Sequence, residues 1–589
     1  MIEMQSYDTP RLLRIARRFN LYLFVGILIV ISALGLGAWE STVLQTAHNL
    51  EVAGATGTAQ YTQATQIEDI LRIITPTWNF FGLGFLTFGI GMSIVLIISN
   101  LKGTGREAMV AYMQAFPGSR LPMTREPGFA RAFPKLMFLG LILLAINFLF
   151  ALFGSLATAG IIDLTFAGFT AASWGAFVEV LRTPQRPGTL SFIVLGIGLS
   201  LATIVYNLRL QARMLPKLMG SLSSGKPMEQ RGSLVPGLPR FPFALLVAGF
   251  IITLSASYPV GLLGAMARSS LVGGAASPAA AQQLAWATAL FPVMAVTGIV
   301  VMLAGIVYWL LLIIQALRDQ RRLVLTMGSN MAGTQAAPLE QPLWPERVAG
   351  YLAGGGVLTL LLLFIPASLL IFIRWEVLRL QGAIGDAFLD LDFMKNFLGT
   401  LIPGMRFLGM SLVMLAIGLT LIVIVVNLKG MGSILPGTMA RILSSQGKAV
   451  GPVISDPDEG DVKSRAEEAM KRFPKKLFIP LLFGALILIS TTFPLVVPLH
   501  LSLQLQQRDA NIAGDMEAAS EIKLEIDILA ALREPWNFIG MGLVFFAIGR
   551  LFGIILGFVQ ARKVVISDAC SSLASGIAPA GGHAPAEEV

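Results

Sequence analysis

The chain has one cysteine, Cys570, in 589 residues. That excludes an internal disulfide framework and any cysteine-built metal cluster within one copy. Histidine is almost as scarce. His48, His500 and His583 are all there are, and none lies in a long apolar run. Axial histidine ligation of haem within a bilayer is therefore excluded for one chain, and so is a zinc protease site of His and carboxylate at helical spacing. Charged residues make up only 13%, and no Asp or Glu falls in the core of an apolar run. Coupling to protons or sodium uses a titratable or anionic oxygen at depth, and that oxygen is missing.

Apolar sequence takes their place. Hydrophobic residues are 55% of the chain and the mean hydropathy is +0.74, the composition of an integral membrane protein. Ten runs of spanning length occur at about 20–39, 78–100, 135–158, 190–208, 242–265, 288–316, 351–373, 402–427, 476–498 and 536–559. The first is read as a span, not a signal peptide, because no small-residue cleavage site follows it. Most of the 43 Lys and Arg residues fall in the segments on the side of the N-terminus. Basic loops stay cytoplasmic, so both termini are placed inside, in a bacterial inner membrane. The net charge of +9 is then a consequence of topology, and no nucleic-acid partner is expected.

One stretch recurs. Trp78-Asn79-Phe80 returns as Trp536-Asn537-Phe538, and Asn100-Leu101-Lys102 returns as Asn427-Leu428-Lys429. Gly82, Gly84 and Gly91 match Gly540, Gly542 and Gly549. Gly89 is matched by Ala547, and Gly409 and Gly418 fall in the same frame. Similar helix starts appear at Arg18-Phe19, Phe133-Pro134-Lys135, Arg240-Phe241-Pro242 and Phe473-Pro474-Lys475, with Pro suited to a first helical turn. The sequence thus reads as an all-α integral membrane protein. Ten transmembrane helices form five tandem, like-oriented helix hairpins, each with a short amphipathic interfacial helix in its outer loop. In the first of these stretches Ile67, Ile70, Leu71 and Ile74 take helical spacing; the last runs from Ile522 to Leu532. The units are a basic cytoplasmic N-terminus (1–19), hairpins at 20–103, 131–213, 240–322, 347–430 and 471–563, and a disordered C-terminal tail (571–589).

Few residues carry a functional expectation. Glycines seven apart clear one helix face for another backbone, so Gly82, Gly84, Gly89, Gly91, Gly409, Gly418, Gly540, Gly542 and Gly549 are assigned to helix packing. Arg550 is the one charge well inside a run and departs from the repeat, where Met92 stands. It is a candidate contact for an anionic lipid headgroup or a partner carboxylate, with snorkelling or backbone satisfaction as the other reading. Arg406, in register with Asn79 and Asn537, carries the same two options near an outer helix end. Pro259, Pro366 and Pro494 recur in the first helices of hairpins three to five and are expected to kink them. His48 and His500 occupy corresponding places and offer two metal ligands at most. The run 456–461 resembles a calcium loop, with its glycine one place early. Asp386, Asp390 and Asp392 read as a solvated outer face.

No nucleophile, base and orienting group can be assembled, so the chain is read as a non-enzyme without cofactor or metal. The expected function is a polytopic membrane scaffold or accessory subunit. Its small-residue faces would hold lipid and other membrane subunits or a second copy. The competing reading is a channel, carrier or lipid-handling protein for a neutral or hydrophobic solute, with the kinked helices and Arg550 along its path.

Overall fold

A computed structural model describes residues 10–117, 127–162, 171–226, 237–272, 278–332, 344–379, 386–445, 447, 473–492 and 496–575. Among the described residues every regular element is helical. They are α1 (Pro10–Ala16), α2 (Phe19–Val52), α3 (Ala59–Ala115), α4 (Gly128–Thr158), α5 (Ala171–Ser224), α6 (Phe241–Ser255), a π-helical turn (Ala256–Val260) and α7 (Gly261–Val272). There follow α8 (Pro278–Ala332), α9 (Trp344–Leu362), α10 (Phe364–Arg379), α11 (Asp386–Ser445), α12 (Phe473–Thr492), α13 (Val496–Ala513) and α14 (Met516–Ser575). Nine helical segments among the described residues are long and apolar enough to cross a membrane, which makes this an all-helical, multi-pass membrane protein. The run at 476–498 is described only in part, and its apolar helix Ile479–Ser490 is shorter.

Five helices are far longer than a bilayer needs. α3 has 57 residues, α5 54, α8 55, and α11 and α14 60 each. At ~1.5 Å per residue these rods are about 80–90 Å long, against ~30 Å of hydrocarbon. Two expectations change. The amphipathic stretches are not separate surface helices: 67–74 lies within α3 and 522–532 within α14. Pro76, Pro292, Pro403 and Pro535 sit inside continuous helices. Each removes one backbone donor, and the packed turns on either side hold the helix together. The rods also run on beyond the basic ends at 103, 213, 322, 430 and 563. The last continues to Ser575 and buries Leu573 and Ala574, so 571–575 is helix and not tail; 576–589 lies outside the described residues.

The connections have local causes. The Thr58 hydroxyl caps α3 by accepting from the Tyr61 N–H at 3.3 Å. At the end of α2, Gly54 has φ +70°, and the N–H groups of Gly54 and Ala55 donate to Glu51 O and Leu50 O. Gly514 repeats this closure after α13, with φ +76°. Glycine takes the left-handed conformation that turns the chain back without a Cβ clash.

The rods stand in a ring. α3 packs on α5, α5 on α8, α8 on α11, α11 on α14, and α14 on α3. The helices α2, α4, α6, α7, α9, α10, α12 and α13 lie outside, each in the groove between two rods, and α1 packs on α3. α4 fills the groove of α3 and α5, α6 and α7 that of α5 and α8, and α9 and α10 that of α8 and α11. α12 and α13 fill that of α11 and α14, and α2 closes the circle between α14 and α3. In the spanning windows of the rods 61–89% of residues are buried, against 28–33% in the complete outer helices, so the core is the ring. Leu21, Phe24, Leu28 and Ile31 on α2 form an exposed stripe at helical spacing, the surface a lipid-facing helix needs.

Glycine sets the depth of the grooves. A Cβ added to Gly249 would stand 2.4 Å from Gly298 O, and one on Gly298 2.6 Å from Gly249 O. Gly26 meets Gly82, Gly356 meets Gly409, and Gly484 meets Gly540 in the same way. Each pair joins a rod to the outer helix that precedes it in sequence, backbone against backbone. The second set of glycines faces a different helix. Gly84 and Gly91 receive Leu144 and Met137 of α4, Gly418 receives Leu481 of α12, and Gly542 and Gly549 receive Val30 and Leu23 of α2. Gly89 lies against Leu23 of α2.

The prolines of the later outer helices interrupt them. Pro259 lies in the π-helical turn between α6 and α7. The break between α9 and α10 falls at Leu363, three residues before Pro366. A proline lacks the N–H its turn would use and crowds the preceding carbonyl, so the helix widens or restarts there. Pro494 lies outside the described residues.

Candidate functional site

The chemistry that the sequence allows has to sit where the five rods meet. A small cavity of about 30 Å³ lies on the ring axis. Every rod lines it: Ile97 and Leu101 from α3, Ile204 and Leu208 from α5, Ile313 and Leu317 from α8, Ile424 and Leu428 from α11, and Ile555 and Val559 from α14. Those ten side chains form two layers, one of five isoleucines and one of four leucines and a valine. The pattern continues outward at heptad spacing. Ile94, Leu201, Leu310, Leu421 and Phe552 make the next layer, and Ile90, Ile197, Ile306, Ile417 and Ile548 the one beyond. All twenty are buried. Alternating steps of three and four residues keep one seam of each rod turned to its neighbours, as in a coiled coil.

The seam becomes polar at one end, here called inner, where the next layer is Thr104, Gln211, Gln320, Met431 and Arg562. The Gln211 side-chain amide donates to Leu101 O at 2.6 Å and that of Gln320 to Leu208 O at 2.6 Å, each tying its rod to the one before. Oε1 of both glutamines and Nε of Arg562 are buried without a partner, and Arg562 lines the cavity. At the other end, here called outer, the seam's own continuation is aromatic, with the Phe80 and Phe538 rings 5.0 Å apart and Phe407 6.3 Å from Phe538; Asn79, Arg186, Ala295, Arg406 and Asn537 hold corresponding positions one residue before it on the five rods. Asn79 is 0% exposed, and neither its Oδ1 nor its Nδ2 has a partner. Arg186 donates from Nη2 to Thr77 Oγ1 at 2.8 Å and lies 6.0 Å over the Phe80 ring. Nε of Arg186, Nε of Arg406 and Nη1 of Arg533 are buried and unpartnered. Glu534 lies within electrostatic reach of both Arg186 and Arg406. Measured along α3, these two levels are about 38 Å apart at ~1.5 Å per residue, close to the thickness of a bilayer with its interfaces.

Several sequence-predicted positions land elsewhere. Arg550 does not line a path through the ring. It is exposed on the flank of α14 and reaches Asn20 Oδ1 of α2 at 3.4 Å. Arg406 is half-buried on α11, within electrostatic reach of Glu534 and Arg533 of α14. No group of three or more His, Cys, Asp or Glu side chains with metal-binding geometry occurs among the described residues. His500 is buried on α13, beyond the 476–498 run. Burial first, and then the Arg533 cation, push its pKa down to about 4, so it is neutral at pH 7. The outer acids form ion pairs: Asp390 with Arg508 of α13 at 2.5 Å, and Asp392 with Lys395. The calcium-like run at 456–461 lies outside the described residues.

Sequence reasoning passed over Arg186, the two glutamines and the outer-helix glycines. Arg186 lies just before the apolar run at 190–208, where a charge looks like an ordinary flanking residue. The register linking Asn79, Arg406 and Asn537 also reaches Arg186, and it is the signal that finds it.

A second apolar cluster lies beyond the inner polar layer, where Tyr112, Leu218, Met439 and Cys570 pack from four of the rods. There the Cys570 thiol, well past the 536–559 run, is pushed up to about 12 by burial. No known family, no curated protein and no solved structure matches the chain.

Proposed function

We propose that the chain forms a membrane pore along the ring axis, held shut in this conformation by its aliphatic seam. Ten transmembrane helices, paired as five like-oriented hairpins with both termini cytoplasmic, make up the wall. The observation that carries this reading is one cavity lined by all five rods, on an aliphatic seam that ends in buried, unpartnered polar atoms of Gln211, Gln320 and Arg562. A stack of aliphatic layers excludes water and ions until it widens, which is how hydrophobic constrictions gate. The scaffold or accessory-subunit reading, motivated by spans nearly free of charge, stands beside it; Gly82, Gly84, Gly409, Gly418, Gly540 and Gly542 pack against the chain's own outer helices. Arg550, on the lipid-facing flank beside Asn20, is read as a contact for an anionic lipid headgroup.

The reading predicts that polar substitution in the seam opens the path. Ile204→Asn and Ile313→Asn, reconstituted in liposomes, are expected to pass small solutes at least about tenfold faster than wild type, as wetting of a hydrophobic gate requires. If folded variants leave the vesicles as tight as lipid alone, the pore reading fails and a non-conducting scaffold is the better account.

A further inference from the structure

The polar layer at the inner end of the seam carries a single charge. Of Thr104, Gln211, Gln320, Met431 and Arg562, only the arginine is ionised. Arg562 follows Val559 on the seam of α14, and it lines the axial cavity beside aliphatic side chains from all five rods. Its Nε is buried without a partner, and among the described residues it makes no ion pair and no carboxylate acts on it. Glu107 of α3 pairs instead with Lys563, the next residue on α14, at 3.0 Å. Other basic residues at this level stand off the axis. Lys102, Arg209, Arg318 and Lys429 each come one residue after a seam leucine. Arg209 donates to Gly237 O at 2.8 Å, Arg318 pairs with Glu346 of the outer helix α9 at 2.6 Å, and Lys429 is exposed.

We propose that Arg562 makes the axial path selective for small inorganic anions over cations. The proposal rests on the pore reading and deepens it by naming what an opened seam passes. Between walls of aliphatic side chains the effective dielectric constant is far below that of water, so one unpaired fixed charge acts strongly on an ion beside it. A guanidinium group draws anions into such a constriction and holds cations out, and it keeps its charge across the physiological pH range. Nothing on the seam opposes it, because the four aliphatic layers contain no carboxylate. Its neighbours in the layer carry no net charge. Thr104, Gln211 and Gln320 direct donors at the backbone carbonyls of Asn100, Leu101 and Leu208, whereas Arg562 keeps a buried nitrogen unused.

Planar-bilayer recording of the full chain carrying Ile204→Asn, under a gradient of potassium chloride, reads the selectivity as a reversal potential. The potential is expected to lie toward chloride equilibrium, with chloride favoured over potassium by about tenfold or more, the effect of one unpaired charge in a low-dielectric constriction. In that background Arg562→Gln should bring the preference to within about twofold of none, Arg562→Lys should keep it, and Arg562→Glu should turn it toward potassium. Lys429→Gln removes an exposed charge beside the seam and should leave the preference within about twofold of the Ile204→Asn value, because exposed charges are screened by salt. Conductance through Ile204→Asn without anion preference overturns the proposal and leaves the pore standing, before any arginine variant is made. A preference undiminished by Arg562→Gln moves the selectivity to the basic rim and overturns it too. No conductance from folded Ile204→Asn sinks the pore, and the selectivity with it.

Discussion

The Gln320 side-chain amide donates to the backbone carbonyl of Leu208 across 2.6 Å, joining α8 to α5 where the aliphatic seam ends. Gln211 makes the equivalent bond to Leu101. Interhelical hydrogen bonds in membranes contribute about 0.6 kcal/mol on average, so Gln320→Met should lower the midpoint of SDS-induced unfolding slightly, and Gln211→Met with it should roughly double the loss. A loss of several kcal/mol from either alone would mean that the bond holds more than one helix pair.

Glycine positions separate sharply by what lies opposite. Gly298 has Gly249 O 2.6 Å from where a Cβ would stand, whereas Gly35 has nothing within 4 Å. Gly298→Val is expected to force α6 off α8 at a cost of about 1–3 kcal/mol or more. Gly35→Ala should be neutral or stabilising by up to ~1 kcal/mol, since alanine is the better helix former. Equal effects in a protease-resistance assay would contradict the close crossing.

Arg550→Leu is expected to weaken retention of phosphatidylglycerol about fivefold, the effect of ~1 kcal/mol per basic side chain near a headgroup. Native mass spectrometry of protein with bound lipid reads this directly. Unchanged lipid retention would place Arg550 among snorkelling residues with no dedicated ligand.

His500 gives the outer junction of α11, α13 and α14 a pH dependence. Its pKa falls from the ordinary 6.5 to about 4 through burial and the nearby Arg533. The folded state therefore favours the neutral ring. The associated stability is fully present above pH 6.5 and is lost as pH falls toward 4, because the unfolded chain takes up the proton first. Unfolding midpoints measured from pH 7 to 4 should drop less in His500→Gln than in wild type. A steeper drop in the variant would reverse the sign.

Cys570 reports on the inner bundle. With its thiol at about 12, the thiolate at pH 8 is about a thousandfold rarer than for an ordinary cysteine, and the thiolate is what reacts. The folded protein should resist N-ethylmaleimide and take one label on unfolding. Rapid labelling of folded protein would show that the rods part readily at their inner ends.

Much of the architecture was written in residue types. Trp78-Asn79-Phe80 and Trp536-Asn537-Phe538 announced a recurring unit, and the glycines announced which helix faces meet another backbone. Gly82 and Gly84 are two residues apart and so could not point the same way. That each receives a different outer helix, one on each side of α3, was already implicit in the spacing. The outer amphipathic stretches misled because a proline after a polar segment looks like a boundary. Pro76 removes one donor and no more, and α3 runs through it.

Composition alone decided that this chain lives in a bilayer, because so few charges and so many apolar runs leave no soluble alternative. Glycine spacing alone decided where helices touch, since a missing side chain has the same meaning in any surroundings. Which aliphatic face turns to the axis and which to lipid was decided only in three dimensions. Lipid and protein interior are equally apolar, so Ile97 facing four other isoleucines and Ile31 facing acyl chains look alike in the sequence. The same holds for Arg186: only closure of the ring, with α2 locking α14 to α3, turned a flanking charge into a buried one.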